Sequence, residues 1–353
     1  MRIEKTITWS ENLLIIIGLM KLILLAFFFA SFAVIQSPNA DTQAVDNCSG
    51  KNLLTELEQT DPDKYQAVLS EAEETVNADS IFWKVQKDGR GPSWLLGTMH
   101  LADPDIANLP EDVREAILAS DTLVIESVEA LDQEASKKAM AGLAHLTLLK
   151  QGTLRDLIAD ELEDELEIAV TRRGVPMQLA DRMQPWLIAT TVALPVCEIK
   201  RKQKGEKVLD SILAEFATDN GKSLKGLETV SEQLTAIASL PEDYHVSALE
   251  ETLASGSLAL DMIETMKDLY IEGRMGLVFP LMKAVMPRTG SGAGVAQFQE
   301  ALIDKRNETM ASRVMPILEE GSTFVAIGAL HLPGETGLVK LLRQSGYTVT
   351  AVR

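Results

Sequence analysis

The chain has 353 residues, 46% of them hydrophobic, enough apolar content to bury one large core or two modest ones and to exclude general disorder. Lys and Arg number 33 against 52 Asp and Glu, so the surface field is negative and would repel a phosphate backbone, which excludes nucleic acid as an expected partner. The acidic residues run through helical stretches such as Asp160 to Glu167, the pattern of solvated helix faces rather than of a ligand cage.

From Leu13 to Ile35 the chain is nearly all apolar, with Lys21 its single charge and Arg2 and Lys5 upstream. Read as a signal peptide, Leu22 to Ile35 is the apolar region and Ser37-Pro38-Asn39-Ala40 offers a small-residue exit. Read as an anchor, Leu13 to Ile35 is long enough at helical rise to cross a hydrocarbon core of roughly 30 Å. Both readings set residues 1–40 apart from the globular fold and deliver everything after Asp41 outside the cytoplasm, periplasmic or membrane-anchored. Membrane contact is then expected only through residues 13–35, if they are retained. Cys48 and Cys197 follow the segment; an oxidising compartment permits a disulfide, and two unpaired buried thiols are the alternative. With no Cys-x-x-Cys pair, neither a structural zinc site nor a thioredoxin-like redox site is indicated.

Residues 41–78 are polar and read as a helical cap, with helices at Leu53 to Gln59 and Tyr65 to Val76. Residues 79–353 read as the main domain. A hairpin opens it: Ser80 to Gln86 is rich in β-formers, Asp88-Gly89 is a turn dipeptide, and Pro92 to Leu96 returns to deliver Gly97 and His100. Pro110-Glu111-Asp112 starts a helix through Leu118, and Thr122 to Ser127 is a buried strand carrying Glu126 near its end. From about 131 to 320 the helical period dominates, near 132–149, 154–173, 185–203, 208–219, 243–272 and 296–319, interrupted by a short strand at Ser223 to Gly226. Thr289-Gly290-Ser291-Gly292-Ala293-Gly294 reads as a flexible linker or lid, not a phosphate loop, because no Lys-Ser or Lys-Thr follows. Met262, Met266, Met275, Met282 and Met286 lie in apolar helical stretches and read as core filling rather than soft ligands.

The end of the chain repeats its beginning. Thr323 to Ile327 is a strand, Gly328 to His331 follows it, Thr336 to Gln344 is a helix and Tyr347 to Val352 a strand. The expected fold class is therefore α/β, a mostly parallel or mixed sheet built from two strand, Gly-x-x-His, helix, strand units with a long helical insertion. One Gly-x-x-His is a weak signal; two in matching contexts at strand ends, where ligands gather in open α/β sheets, are a strong one. Gly97 and Gly328 would let backbone approach a ligand closely, and His100 and His331 would each bind a divalent ion or shuttle a proton.

Glu126 ends an apolar strand and needs a partner. With the two histidines it makes a candidate ligand set for a catalytic divalent metal such as Mn, Co or Zn, or it acts as general base. In the structural alternative the histidines cap loops and Glu126 pairs with an arginine. Arg306 could hold a carboxylate through its planar fork or make an ordinary surface pair. His145 and His245 read as structural, Trp186 after Pro185 as core, and Glu228 as a strand-end carboxylate.

Trp94-Leu-Leu-Gly-Thr-Met-His100, Val124-Ile-Glu126, Gly226-Leu-Glu-Thr229, Arg306-Asn307 and the run Val325 to Gly334 together resemble the TraB/GumN family over roughly residues 80 to 353. The resemblance implies kinship with the Tiki membrane-tethered metalloproteases. It makes His100, His331 and Glu126 metal or catalytic residues, with Arg306 and Asn307 supporting them. It also implies a Cys48–Cys197 disulfide, as in exported GumN-like members. The function expected is a metal-dependent, peptidase-like hydrolase of the cell envelope acting on a peptide or envelope polymer. The alternative is a non-catalytic envelope protein binding haem, a metal or a polysaccharide, since the wider superfamily includes haem-binding and esterase-like relatives and fold kinship does not choose among them.

Overall fold

The computed structural model describes residues 48–87, 89–286 and 292–352. The apolar segment 13–35, Asp88 of the expected turn and residues 289–291 of the expected linker lie outside them. Among the described residues no helix is long and apolar enough to cross a membrane.

Two capped helices come first. Asn52 caps α1 (Leu53–Thr60), and Asp61 caps α2 (Pro62–Glu73), which has Pro62 at its first position, where its missing N–H costs nothing. Leu54, Leu57, Val68 and Ala72 from these helices enter the main core. Then come β1 (Phe82–Gln86), β2 (Ser93–Thr98), α3 (Glu111–Leu118) and β3 (Thr122–Ile125).

The helical region runs through α4 (Gln133–Gly142), α5 (Glu163–Arg172), α6 (Pro185–Ala193), α7 (Val196–Gln203) and α8 (Leu209–Asp219) to β4 (Ser223–Gly226). It continues with α9 (Val230–Ala238), α10 (Glu242–Ser255), α11 (Leu258–Ile271), α12 (Val278–Val285), α13 (Gly292–Gln299), a π turn (Glu300–Asp304) and α14 (Lys305–Glu320). The chain closes with β5 (Thr323–Gly328), a 3-10 turn at Ala329–His331, α15 (Leu338–Gln344) and β6 (Thr348–Ala351).

Several expected helices are broken by identifiable residues. Pro195 splits the stretch expected at 185–203, because it has no N–H to give and forces Leu194 into extended backbone, ψ 125°. Gly256, at φ 56°, separates α10 from α11 where one helix was expected, as a glycine at a helix end does. Gly292 and Gly294, expected in a loop, instead belong to α13, where burial of Val295 outweighs glycine's poor helix propensity.

The strand order is β4-β3-β5-β2-β1-β6. β4, β3, β5 and β2 are mutually parallel, while β1 runs antiparallel to both β2 and β6. The sheet is thus mixed. The two repeated units are interleaved rather than side by side, for β5 lies between β2 and β3. Both sheet faces are buried, and side chains alternate between them: Leu96, Leu123 and Phe324 face α1, α3, α8 and α12, whereas Leu95, Val124 and Val325 face α14 and α15. A further core, including Leu166, Val170, Leu187, Ile188 and Leu249, holds the helical region together. Met275 is buried in the main core, and Met266 and Met282 pack against it.

Cys48 and Cys197 form a disulfide, with Cα atoms 5.6 Å apart and a separation of 149 positions in sequence. By closing so long a loop it removes conformational freedom mainly from the unfolded chain. Replacing both cysteines by serine, or reducing the bond, is expected to lower unfolding free energy by about 2–5 kcal/mol in guanidinium titrations; unchanged midpoints would refute the staple's role. Of the histidines expected to be structural, His145 is exposed. His245 is buried, and its Nε2 donates to the Ile237 carbonyl at 3.2 Å.

Burial pushes the His245 imidazolium down to about 4 despite that hydrogen bond. The unfolded chain, titrating near 6.5, therefore takes up a proton that the fold refuses. The contribution of His245 to stability is complete above about pH 6.5 and is lost progressively as pH falls toward 4. In His245→Gln the drop in melting temperature between pH 7.5 and 4.5 should be smaller than in the wild type; an equal drop would remove His245 from the acid response.

Candidate active site

Four parallel strands end side by side at one edge of the sheet, and a polar side chain follows each. Thr98 of β2 pairs with Gly328 of β5, while Ile125 of β3 pairs with Ala326 on one side and Gly226 on the other. The register therefore sets His100, the Gly328–His331 turn, Glu126 and Glu228 in one row. Gly97 is needed for the close fit of the two motifs: a Cβ there would stand 2.9 Å from both Cα and Cβ of Ala329. Gly328 is needed at the centre, since a Cβ there would lie 2.9 Å from Glu126 Oε1, 3.4 Å from His331 Cδ2 and 3.8 Å from His100 Nε2. Gly97 thus meets the second motif, whereas Gly328 faces the carboxylate and both imidazoles.

Glu126 is the hub. Its Oε1 accepts from the Gly328 N–H at 2.6 Å, and its Oε2 accepts from Arg306 Nη2 at 2.7 Å and Gln233 Nε2 at 3.0 Å. The same Oε1 stands 3.9 Å from His100 Nε2 and 4.0 Å from His331 Nε2. Each ring is gripped at its other nitrogen, His100 Nδ1 by Asp210 Oδ2 at 2.9 Å and His331 Nδ1 by Asn307 Oδ1 at 2.7 Å. Arg306 is in turn shared with Glu228, whose Oε1 accepts from Nε at 3.0 Å and Oε2 from Nη2 at 2.7 Å.

Electrostatics separate the two rings. Burial opposes the His100 imidazolium, but Asp210, by its charge and hydrogen bond, and then Glu126 overcome this and raise it to about 9. Burial drives His331 down to about 3, and Arg306 and His100 add to the depression against the pull of Glu126. Burial would raise the Glu126 carboxyl, yet Arg306, the two histidines and the Gly328 N–H hold it far below the usual carboxylate range. The site presents an ionised carboxylate, one cationic ring and one neutral ring.

The structure brings together His100, His331, Glu126, Arg306, Asn307 and Gly328 from positions scattered along the chain. Both readings of Glu126 meet here, since it pairs with an arginine and also faces the imidazoles. Asp210 and Gln233 were not foreseen, and Glu228, foreseen as a strand-end carboxylate, is the second anchor of Arg306. A capping box, Thr229 with Glu232, announces α9 and hence the placement of Gln233. For Asp210 the local signal is slight: an acid beside Leu209, Leu213 and Ala214 in a helix that buries that flank.

Two histidine-bearing turns of a mixed α/β sheet thus close on one buried carboxylate. The chain belongs to the TraB/PrgY/gumN family, whose pattern matches residues 81–351. Among curated proteins it is similar to metalloprotease TIKI1 of Danio rerio, 26% identical over 318 residues, 77% of this chain and 63% of that protein. Metalloprotease TIKI1 of Homo sapiens is 24% identical over 319 residues, 77% of this chain and 61% of that protein. The uncharacterized protein YbaP of Escherichia coli (strain K12) is 25% identical over 252 residues, 70% of this chain and 87% of that protein. The chain thus spans about three fifths of the length of the TIKI relatives. No solved structure matches it.

Arg306 ties two buried carboxylates together, and leaving them uncompensated would be costly. Arg306→Met is expected to lower stability by about 3–5 kcal/mol in chemical denaturation. Removing the exposed partner of Glu320 with Lys225→Met should cost about 0–1 kcal/mol. Similar losses in the two variants would contradict the buried ion network.

Proposed function

We propose that the protein is a metal-dependent, peptidase-like hydrolase that works outside the cytoplasm, with His100, His331 and Glu126 as its metal-binding set. The observation that carries this reading is the convergence of both Nε2 atoms on Glu126 Oε1, at 3.9 and 4.0 Å, while each Nδ1 is spent on a fixed acceptor. A histidine so held offers its other nitrogen as a donor, the usual arrangement behind a metal-bound imidazole. The three donors are of the types that Mn²⁺, Co²⁺ or Zn²⁺ accept.

As they stand, no group of three or more His, Cys, Asp or Glu among the described residues is close enough to enclose an ion. The two imidazoles and the carboxylate would have to draw closer together to hold one. A bound ion would polarise a carbonyl and acidify a water.

The chain's own residues do the rest. Arg306, Gln233 and the Gly328 N–H keep Glu126 ionised and aimed, which suits a ligand or electrostatic anchor better than a proton acceptor. Glu228 holds Arg306 in that role, and Asn307 keeps the His331 Nε2 lone pair turned inward. The Glu126 oxygen fills the space between the imidazoles that a haem would need, so an ion suits the site better than a macrocycle. The name metalloprotease on the TIKI relatives supports a peptide as the substrate class, ahead of an envelope polysaccharide. The Cys48–Cys197 disulfide supports export to an oxidising compartment such as the periplasm.

The full chain, stripped with chelator and dialysed against Mn²⁺, Co²⁺ or Zn²⁺, should retain about one ion per molecule by elemental analysis and cleave unstructured peptides only when loaded. His100→Ala and His331→Ala should each abolish retention. Full retention by both variants would sink the assignment, and retention by wild type without cleavage of any peptide would make this a binding protein instead.

A further inference from the structure

His100 and His331 offer the same atom to the centre but are held from behind by different groups. Behind His331 is an amide: Asn307 is fully buried, and its Nδ2 is spent on the Thr336 carbonyl at 3.0 Å. That bond fixes which way the amide points, so Oδ1 faces the ring. Behind His100 is a carboxylate. Asp210 Oδ2 lies 2.9 Å from Nδ1, and Oδ1 accepts from Thr98 Oγ1 at 3.0 Å.

Asp210 sits in the first turn of α8, yet it makes no capping bond there. Its side chain is turned across to the end of β2, where Thr98 lies two residues before His100. A buried carboxylate is costly unless its oxygens are bonded, and here one oxygen is bonded by the histidine and the other by the strand that carries it.

We propose that Asp210 is the positioning residue for His100, and that Thr98 sets the rotation of the Asp210 carboxylate. With an ion bound, Asp210 would hold the remaining His100 proton on Nδ1, leave Nε2 turned toward Glu126 Oε1 as the ligand atom, and make His100 the stronger donor of the two rings. The two histidines are then inequivalent: His100 anchors the ion through a carboxylate-backed ring, and His331 completes the site through an amide-backed one. Groups in this position commonly tune metal affinity by about 10–100-fold. The inference rests on the reading of the site as a metal centre and adds the residue that grades its ligands.

The test is titration of the chelator-stripped full chain with Co²⁺ alone, read by calorimetry and by the visible absorption of the bound ion. Asp210→Asn should weaken Co²⁺ binding by about 10–100-fold, and Thr98→Val, which keeps the carboxylate but releases its rotation, should weaken it several-fold. In the Zn²⁺-loaded, ¹⁵N-histidine-labelled protein, the His100 Nδ1–H resonance should lie far downfield in wild type and shift upfield in Asp210→Asn. A merely structural Asp210 would lower the melting temperature of the metal-free protein and leave the Kd of its folded fraction and the Nδ1–H resonance unmoved. That outcome, or Co²⁺ affinity within twofold of wild type, overturns the role of Asp210 alone. Wild-type protein that takes up no ion overturns the metal centre along with it. Should Asp210→Asn fail to fold, unchanged affinity and resonance in Thr98→Val overturn the proposal by themselves.

Discussion

The parallel pairing of β2, β5, β3 and β4 in fixed register is the constraint on which everything else in the molecule depends. A slip of one residue would turn every strand side chain to the opposite face and carry Gly328 away from Glu126. The register is set by burial on both sides of the sheet, with Leu95, Val124 and Val325 committed to one face and Leu96, Leu123 and Phe324 to the other. Once it is set, the two Gly-x-x-His turns cross so closely that only hydrogen fits at Gly97 and Gly328. The glycines serve packing first. Any chemistry follows from the closeness that packing creates.

That closeness concentrates polar groups where water is scarce. Glu126, Glu228 and Asp210 are all buried; Arg306 bridges the first two and the His100 ring meets the third. Each is tolerated because its oxygens are bonded. The wall around this cluster is reinforced from the other end of the chain. Cys197 is bonded to Cys48, and Glu198 beside it accepts from the Ala102 N–H at 2.8 Å, two residues past His100. Arg201, one turn further along α7, reaches Asp103 at 2.8 Å. The disulfide therefore fastens the same helix that holds the loop leaving the first motif.

What the sequence disclosed and what it hid divide along a physical line. β-branched runs, the Asp88-Gly89 turn and the matching Gly-x-x-His contexts are local signals, and they placed the strands and the second motif to within a residue or two. Pro195 and Gly256 are visible breakers, and each ends a helix in spite of the apolar period that runs on around it. The interleaving of β5 between β2 and β3 has no local signature, because strand pairing is decided by burial over long separations. Asp210 is the sharpest case: it lies 110 positions from His100, in a helix whose own periodicity gives no reason for a carboxylate to turn toward β2. Glu126 was legible because a carboxylate closing an apolar strand demands a partner; which partner was not.

The π turn at Glu300–Asp304 immediately precedes the two consecutive residues that serve both halves of the site. Neighbours in a regular helix point about 100° apart, so Arg306 reaches Glu126 and Glu228 while Asn307 reaches His331. A π turn inserts an extra residue into the helical path and is found mostly at functional positions because it costs backbone regularity. Here it lies immediately before the pair, and Arg306 Nη1 folds back onto the Leu302 carbonyl inside it at 3.2 Å. The irregular turn thus sets the phase in which α14 enters the site and is itself bonded by the arginine it presents. Asn307, one residue on, is fully buried and bonded at both ends of its amide, which fixes that phase. The helix is held where its two polar side chains bond best, and the hydrophobic row Met310, Val314 and Leu318 then follows along the sheet.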